Sequence, residues 1–252
     1  MSEPSIRIGI GGWTFPPWRG SFYPPDLPQR AELDYAARSF GAIEINATFY
    51  GRQSAKSWAA WGDVAPDGFQ FAVKGSRYCV TRPRLADAGE GVQNFLAQGL
   101  TALGHKLGPL LWMLAARRQF DPDDIAAFLA LLPREHDGLA LRHVIEPRHE
   151  SFRDERFFDL ARRHDVAIVF GDDDEFPCID ADTASFAYAR LQRMREDVPT
   201  GYDEPALAAF ETRARRWAND GRDAYIFMIN GAKVRAPAAA IALQNRLGIA
   251  PA

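Results

Sequence analysis

Several charged and polar side chains in this sequence lie at the carboxyl ends of short apolar segments that have the pattern of β-strands. Glu44 and Asn46 alternate with two isoleucines in the stretch 42–46, so both project from the same face of a strand. A carboxylate on the inner face of a sheet is costly unless it is paired or functional. We therefore expect Glu44 to be catalytic and Asn46 to contact substrate. The alternative is a structural role, in which they satisfy loop backbone.

Lys74 closes a second apolar run, residues 69–74. A lysine on the inner face of a barrel can pair with a carboxylate, bind an anion, or act as a base or nucleophile when its pKa is depressed. We expect a catalytic role for Lys74, with simple pairing to Glu44 as the alternative.

The densest group of reactive types follows a third run, where Glu146, Arg148 and His149 fall within four residues. Two carboxylates, Glu44 and Glu146, can divide the general acid and base roles when nearby charges separate their pKa values. Arg148 suits bidentate recognition of a carboxylate or phosphate. His149 stands at a predicted strand end and is a further catalytic candidate, although a structural role is the alternative.

Other strand ends add candidate substrate-binding residues. Asp172 begins four consecutive acids, which could hold a divalent cation through oxygen ligands or simply form a solvated loop. Aromatic residues after the first two strands could wall a pocket for a sugar or base, or cover the end of the barrel. No cofactor or metal-ligand set is required by the sequence. The additional substrate-binding candidates are Trp13, Tyr50, Asp172, Arg190 and Asn230.

These residues must be positioned by alternating strands and helices. Eight strand units in about 250 residues predict a single (β/α)₈ TIM barrel over residues 1–252, because short helices between strands require parallel crossovers. An open, doubly wound parallel sheet is the alternative. The candidate strands are Ile6–Gly12, Ala42–Asn46, Phe69–Lys74, Pro109–Leu114, Leu139–Glu146, Val166–Phe170, Ser185–Leu191 and Ala224–Asn230. The candidate helices are Ala31–Phe40, Ser54–Gly62, Val92–Leu103, Asp123–Leu132, Phe152–His164, Glu204–Asp220 and Ala236–Leu247, with 172–183 as a loop.

Composition narrows the class of function. The formal net charge is −3, which argues against a dedicated nucleic-acid-binding protein. No apolar run reaches the length of a membrane span. Two distant cysteines and no signal peptide predict a cytoplasmic protein. Gly9-Ile10-Gly11-Gly12 lacks the third glycine of a dinucleotide-binding loop, and no Walker loop or zinc spacing is present.

Several stretches resemble the YecE-like family, known as domain of unknown function 72. The likeness covers nearly the whole chain and implies a barrel fold, but no reaction. The stretches are Gly12-Trp13-Thr14-Phe15, Trp18-Arg19-Gly20-Ser21-Phe22-Tyr23-Pro24, Glu44-Ile45-Asn46-Ala47-Thr48-Phe49-Tyr50, Phe69-Gln70-Phe71-Ala72-Val73-Lys74, Lys106-Leu107-Gly108-Pro109, Arg148-His149-Glu150-Ser151-Phe152 and Gly201-Tyr202.

The second half departs from that pattern, which implies a diverged member with a changed substrate or reduced activity. Two histidines and several small polar groups of the family are replaced, and Arg82 and Arg193 are gained. The departures are Thr81-Arg82, Ala115-Ala116, Arg190-Leu191-Gln192-Arg193, Ile229-Asn230-Gly231 and Ala239.

Three classes of function remain open on these residues. The leading hypothesis is an enzyme, a hydrolase or lyase, that acts on a small anionic metabolite held by Arg148, Arg190 and Arg193. A glycosidase is a narrower version, which requires a defined separation of the two carboxyl groups. A non-catalytic metabolite-binding barrel is the second class, and nucleic-acid processing ranks last. Oligomeric state is not predicted.

Overall fold

The computed structural model describes residues 4–251 and contains a nine-stranded parallel sheet. Its strand order is β8-β7-β4-β3-β2-β1-β11-β10-β9, and a separate antiparallel hairpin is formed by β5 and β6. The strands are β1 Ile6–Gly11, β2 Ala42–Ile45, β3 Gln70–Lys74, β4 Leu107–Met113, β5 Glu135–His136, β6 Leu139–Ala140, β7 His143–Glu146, β8 Val166–Ile168, β9 Phe170–Asp172, β10 Phe186–Leu191 and β11 Asp223–Met228.

The two edges of this sheet belong to one segment of chain. Only Val169 separates β8, which pairs with β7, from β9, which pairs with β10. The backbone N–H of Val169 itself donates to the carbonyl of Ile145 on β7, at 2.9 Å. The sheet therefore closes into a barrel of eight strand units, which confirms the predicted fold and excludes the open sheet.

Helices follow the strands and surround the barrel. Ser54 and Asp121 accept backbone N–H groups at the starts of α3 and α6, as their types favour. The α-helices are α1 Glu32–Ser39, α2 Ala47–Tyr50, α3 Ala55–Val64, α4 Arg77–Val80, α5 Gly89–Leu96, α6 Pro122–Ala130, α7 Glu155–His164, α8 Glu204–Asn219 and α9 Ala236–Leu247. Short 3₁₀ segments cover Pro16–Trp18, Gln29–Ala31, Leu85–Ala88, Leu100–Lys106, Glu150–Phe152 and Lys233–Arg235.

Apolar side chains form two cores, one on each face of the sheet. Ile43 and Ile45 pack in the larger core, between the strands and the helices. Ala42 belongs to the smaller core inside the barrel, together with residues of six other strand units. Because side chains alternate along a strand, Glu44 points to the barrel interior, as predicted. The smaller core consists of Ala42, Ala72, Leu111, Val144, Ala167, Val169, Phe186, Tyr188, Tyr225, Phe227 and Ile229.

Several predicted boundaries were wrong. The helix predicted over Val92–Leu103 is two segments, because Gly99 between them has a left-handed φ of 98°. The strand predicted over Leu139–Glu146 is broken, since Leu139–Ala140 turns back on Glu135–His136 and only His143–Glu146 joins the barrel. The loop predicted from residue 172 starts one residue later, because β9 includes Asp172.

Within residues 4–251, no helix combines the length and apolar character that a membrane crossing needs. The same residues hold no group of three or more His, Cys, Asp or Glu side chains placed to bind a metal ion. Cys79 is buried, Cys178 is exposed, and both are free thiols.

Candidate functional site

A chain of alternating charges fills the barrel interior just below its carboxyl-terminal mouth. The Arg190 guanidinium donates from Nε to Glu44 Oε2 and from Nη2 to Glu44 Oε1, both at 3.1 Å. Its Nη1 donates to Glu146 Oε2 at 2.7 Å. On the far side of Glu146, Arg148 donates from Nε and Nη2 to Oε1, at 3.1 and 2.9 Å. One guanidinium thus joins the two carboxylates that the sequence singled out.

Burial makes these ion pairs obligatory. The side chains of Arg190, Glu44 and Glu146 are 2%, 0% and 5% exposed, and Tyr188 donates to Glu44 Oε2 at 2.7 Å. Burial alone would raise the pKa of Glu146, but Arg190, Arg148 and Lys74 outweigh it and lower that pKa. Glu146 is therefore a carboxylate at neutral pH. The carboxylates keep both arginines in place at the mouth.

Lys74 lies beside this chain but outside it. No carboxylate oxygen of residues 4–251 comes within 4 Å of its Nζ, which instead stands 4.6 Å from the Phe49 ring centroid. The residue is 7% exposed. Burial lowers the pKa of Lys74 most and Arg190 lowers it further, so that it falls to about 8 although Glu44 and Glu146 oppose the change. The predicted pairing alternative, a direct Lys74–Glu44 ion pair, is absent from these residues.

A cavity of about 560 Å³ opens above the ion pairs, at the end of the barrel where the strands finish. Its floor is formed by Arg190 and apolar side chains from β4 and β11, and its walls by the loops that follow the strands. The residues lining it are Gly11, Gly12, Trp13, Thr14, Ile45, Asn46, Ala47, Tyr50, Lys74, Met113, Arg148, Arg190, Met228, Ile229, Asn230 and Lys233.

The charge of this cavity is positive. Of residues 4–251, Lys74, Arg148, Arg190 and Lys233 line it, whereas no Asp or Glu does. Arg148 is held by Glu146 and stacks on Phe176, 4.4 Å from its ring centroid, which leaves Nη1 without a partner among residues 4–251. Lys233 Nζ lies 4.8 Å from the Phe15 ring centroid, and burial lowers its pKa. The arrangement presents positive donors to a ligand.

Besides Arg148 and Arg190, four more of the predicted binding residues line the same cavity. The Asn46 amide donates to the backbone carbonyl of Glu44 at 3.3 Å, and Tyr50 is 67% exposed at the rim. Asn230 has a left-handed φ of 57° and donates from Nδ2 to Gln192 Oε1 at 2.8 Å. Trp13 stacks edge-on against the helix residue Trp61.

Two predicted site residues lie elsewhere. His149 does not line the cavity; its Nδ1 accepts the N–H of Ser151 and caps the 3₁₀ turn Glu150–Phe152. Asp172 also lies outside the cavity lining, where it accepts from Tyr202 at 2.8 Å and from Arg193 Nε at 2.7 Å. Both residues have local partners that account for their positions.

Two residues of this site, Lys233 and Tyr188, were not predicted from the sequence. Lys233 follows β11 by a few residues, and its only signal was that it is one of four lysines in the chain. Tyr188 precedes Arg190 by two residues on β10, so it shares the inward face. That spacing could have identified Tyr188, but its bond to Glu44 spans 144 residues.

A closed parallel barrel with a polar site at the carboxyl ends of its strands defines the class as a (β/α)₈ barrel protein. Residues 7–252 match the sequence profile of the family described as "Protein of unknown function DUF72". The chain belongs to that family, which is the YecE-like family that the sequence motifs resembled.

Relatives of known structure share this fold. A DUF72 family protein from Thermotoga maritima MSB8 superposes with a TM-score of 0.81 at 21% identity, covering 97% of this chain and 99% of that one. One from Enterococcus faecalis V583 gives 0.77 at 15% identity, covering 97% and 96%. The UPF0759 protein YunF of Bacillus subtilis (strain 168) is 35% identical over 69 residues, which is 27% of this chain and 23% of YunF's length.

Proposed function

We propose that this protein binds a small anionic metabolite, phosphorylated or carboxylated, in the mouth cavity. One observation carries the proposal: the charged residues lining the cavity are Lys74, Arg148, Arg190 and Lys233, with no acidic neighbour among them. Glu44 and Glu146 beneath the floor balance two of these four charges. The remaining excess of two positive charges, partly removed from water, favours an anion.

The donors free for a ligand are on Arg148, Lys74 and Lys233. Each of the three guanidinium nitrogens of Arg190 already donates to a carboxylate, so we assign Arg190 to the charge of the floor and not to the direct contact. Arg193 is paired with Asp172 and Asp174. Glu44 and Glu146 fit a positioning role better than the acid–base pair that the sequence suggested, because their oxygens already accept hydrogen bonds from cations. The guanidinium between them also occupies the space that a glycosidase needs for its sugar ring.

Thermal shift with matched ligands tests the proposal. Glycerol 3-phosphate, inorganic phosphate and malonate should stabilise the protein, whereas glycerol should not. At about 100 times its dissociation constant, a ligand adds about 2.7 kcal/mol to the free energy of unfolding, or roughly 5–10 °C in Tm for a chain of this size.

Two variants separate the cavity from general surface charge. Arg148→Met should greatly reduce the shift, because it removes one of the three groups whose free donors face the cavity. Arg153→Met removes an exposed arginine five residues along, paired with Glu150 outside the cavity, and should keep the shift. Equal stabilisation by glycerol and glycerol 3-phosphate, or equal loss in both variants, would refute the anion site.

A further inference from the structure

Lys74 is buried, whereas the three other lysines of the chain, Lys56, Lys106 and Lys233, are exposed or only partly buried. Lys106 Nζ donates to the carbonyls of Gly62 and Ala65, at 2.7 and 2.6 Å. Lys56 is on the exposed surface of α3. Lys74 Nζ, by contrast, reaches a cavity from a buried strand end and has no hydrogen-bond partner among the described residues.

The surroundings of Lys74 increase the fraction of its amine that is neutral. The carboxylates that could have fixed it as a cation, Glu44 and Glu146, are taken by the guanidiniums of Arg190 and Arg148. Burial lowers the pKa of Lys74 most, and the positive charge of Arg190 beside the amine lowers it further, to about 8. At pH 7 such an amine is about 10% neutral, against roughly 0.04% for a lysine of ordinary pKa.

We propose that Lys74 is a nucleophile that forms an imine with an anionic aldehyde or ketone, whose charged group is held by Arg148 and Lys233. This inference rests on the anion-binding function proposed above and narrows its ligand to a carbonyl compound. A lysine desolvated and next to another cationic group is how proteins activate an amine for this chemistry.

The reaction balances without an oxidant or reductant. The lone pair of the neutral Nζ attacks the carbonyl carbon, and the C=O π electrons move to the oxygen. The oxygen takes up the proton that the nitrogen loses, which gives a carbinolamine. Departure of that hydroxyl with the remaining N–H proton as one water leaves a C=N bond between Lys74 and the ligand.

Reductive trapping in the intact protein tests the proposal. Pyridoxal 5′-phosphate is the probe, and pyridoxal, the same aldehyde without the phosphate, is its matched control. Borohydride converts an imine to a stable secondary amine, and peptide mass spectrometry then gives the occupancy of each lysine separately. With four lysines in the chain, the exposed Lys56 is an internal reference.

At pH 7.5 and limiting probe, Lys74 should carry at least ten times the label of Lys56. The ratio of label on Lys74 to label on Lys56 should fall at least tenfold when pyridoxal replaces the phosphorylated probe, and taking this ratio corrects for the lower free-aldehyde content of pyridoxal, which closes to an internal hemiacetal. Lys56→Arg removes an exposed lysine outside the cavity and should leave the label on Lys74 unchanged. Lys74→Arg should lose the label; the distribution of label in the wild type serves as the test if that variant does not fold.

The outcomes separate this inference from the anion site. Thermal stabilisation by glycerol 3-phosphate together with equal label on Lys74 and Lys56 would overturn the imine and leave the anion site standing. Preferential label on Lys233 would also overturn the role given to Lys74. Strong label on Lys74 from both aldehydes alike, without stabilisation by anions, would retain the nucleophile but overturn the anionic ligand. Neither stabilisation nor selective label would overturn both proposals.

Discussion

Removal of the Arg190 guanidinium should destabilise the protein far more than removal of an ordinary arginine. Arg190→Met deletes three hydrogen bonds to two carboxylates and leaves Glu44 with Tyr188 but no cation within 4 Å among residues 4–251. Glu146 keeps Arg148. Breaking a buried ion pair on one side costs about 3–5 kcal/mol, because the other charge stays buried and uncompensated.

Urea unfolding followed by circular dichroism measures this cost as a change in the free energy of unfolding. In Tm, it corresponds to a fall of roughly 6–20 °C for a chain of this length. Arg38→Met is the matched control, since Arg38 pairs with Asp34 on the surface of α1 with 61% and 46% of the two side chains exposed. That change should have little effect on the free energy of unfolding, because solvent screens an exposed ion pair.

A second variant identifies the cause. Arg190→Met combined with Glu44→Gln removes the uncompensated charge, so it should recover at least about 1 kcal/mol of the loss of the single variant. The reasoning is refuted if Arg190→Met costs no more than Arg38→Met. It is also refuted if the double variant is less stable than the single one, since the loss would then reflect packing and not charge.

Two further predictions concern His143, the first residue of β7, and two glycines of the barrel strands, Gly9 and Gly171. Burial lowers the pKa of His143 from 6.5 to about 4. Between these two pH values the unfolded chain binds a proton that the folded chain does not bind. The contribution of neutral His143 to stability is therefore full above pH 6.5 and is lost as the pH falls to 4. Between pH 7 and 4 the free energy of unfolding of the wild type should fall by about 3 kcal/mol more than that of His143→Gln. Parallel curves of unfolding free energy against pH for the two proteins would contradict this. A Cβ on Gly9 would meet the backbone oxygen of Ala42 at 2.0 Å, whereas one on Gly171 meets nothing within 4 Å. Gly9→Ala should therefore lower the free energy of unfolding by at least about 1–3 kcal/mol. Gly171→Ala should lower it by less than half as much. Similar Tm values for the two variants would show that β1 can shift away from β2.

The barrel could be predicted because its units are short and local. The alternation of residue types in 42–46 predicted that Ile43 and Ile45 face the surrounding helices and that Glu44 faces the barrel interior. Such a pattern can be recognised from the residues of the strand alone. The prediction of one continuous helix was wrong where the backbone conformation of a glycine interrupted the helical spacing of apolar residues. The apolar spacing of 92–103 is helical on both sides of Gly99, but its positive φ divides the segment.

The sequence by itself determined which residues stand at strand ends, and parallel strands bring those ends to one mouth. It therefore gave Glu44, Lys74, Glu146, Arg148 and Arg190 as neighbours. It could not determine how their charges pair, since Arg190 meets Glu44 across 146 residues and Glu146 across 44.

The pairing of these charges depends on the tertiary structure. The closing of the barrel places one guanidinium between two carboxylates, which removes them from contact with Lys74. Among residues 4–251 the Lys74 amine is left buried with no carboxylate oxygen within 4 Å, because a pair forms where distance and desolvation favour it and not where residue types alone would allow it.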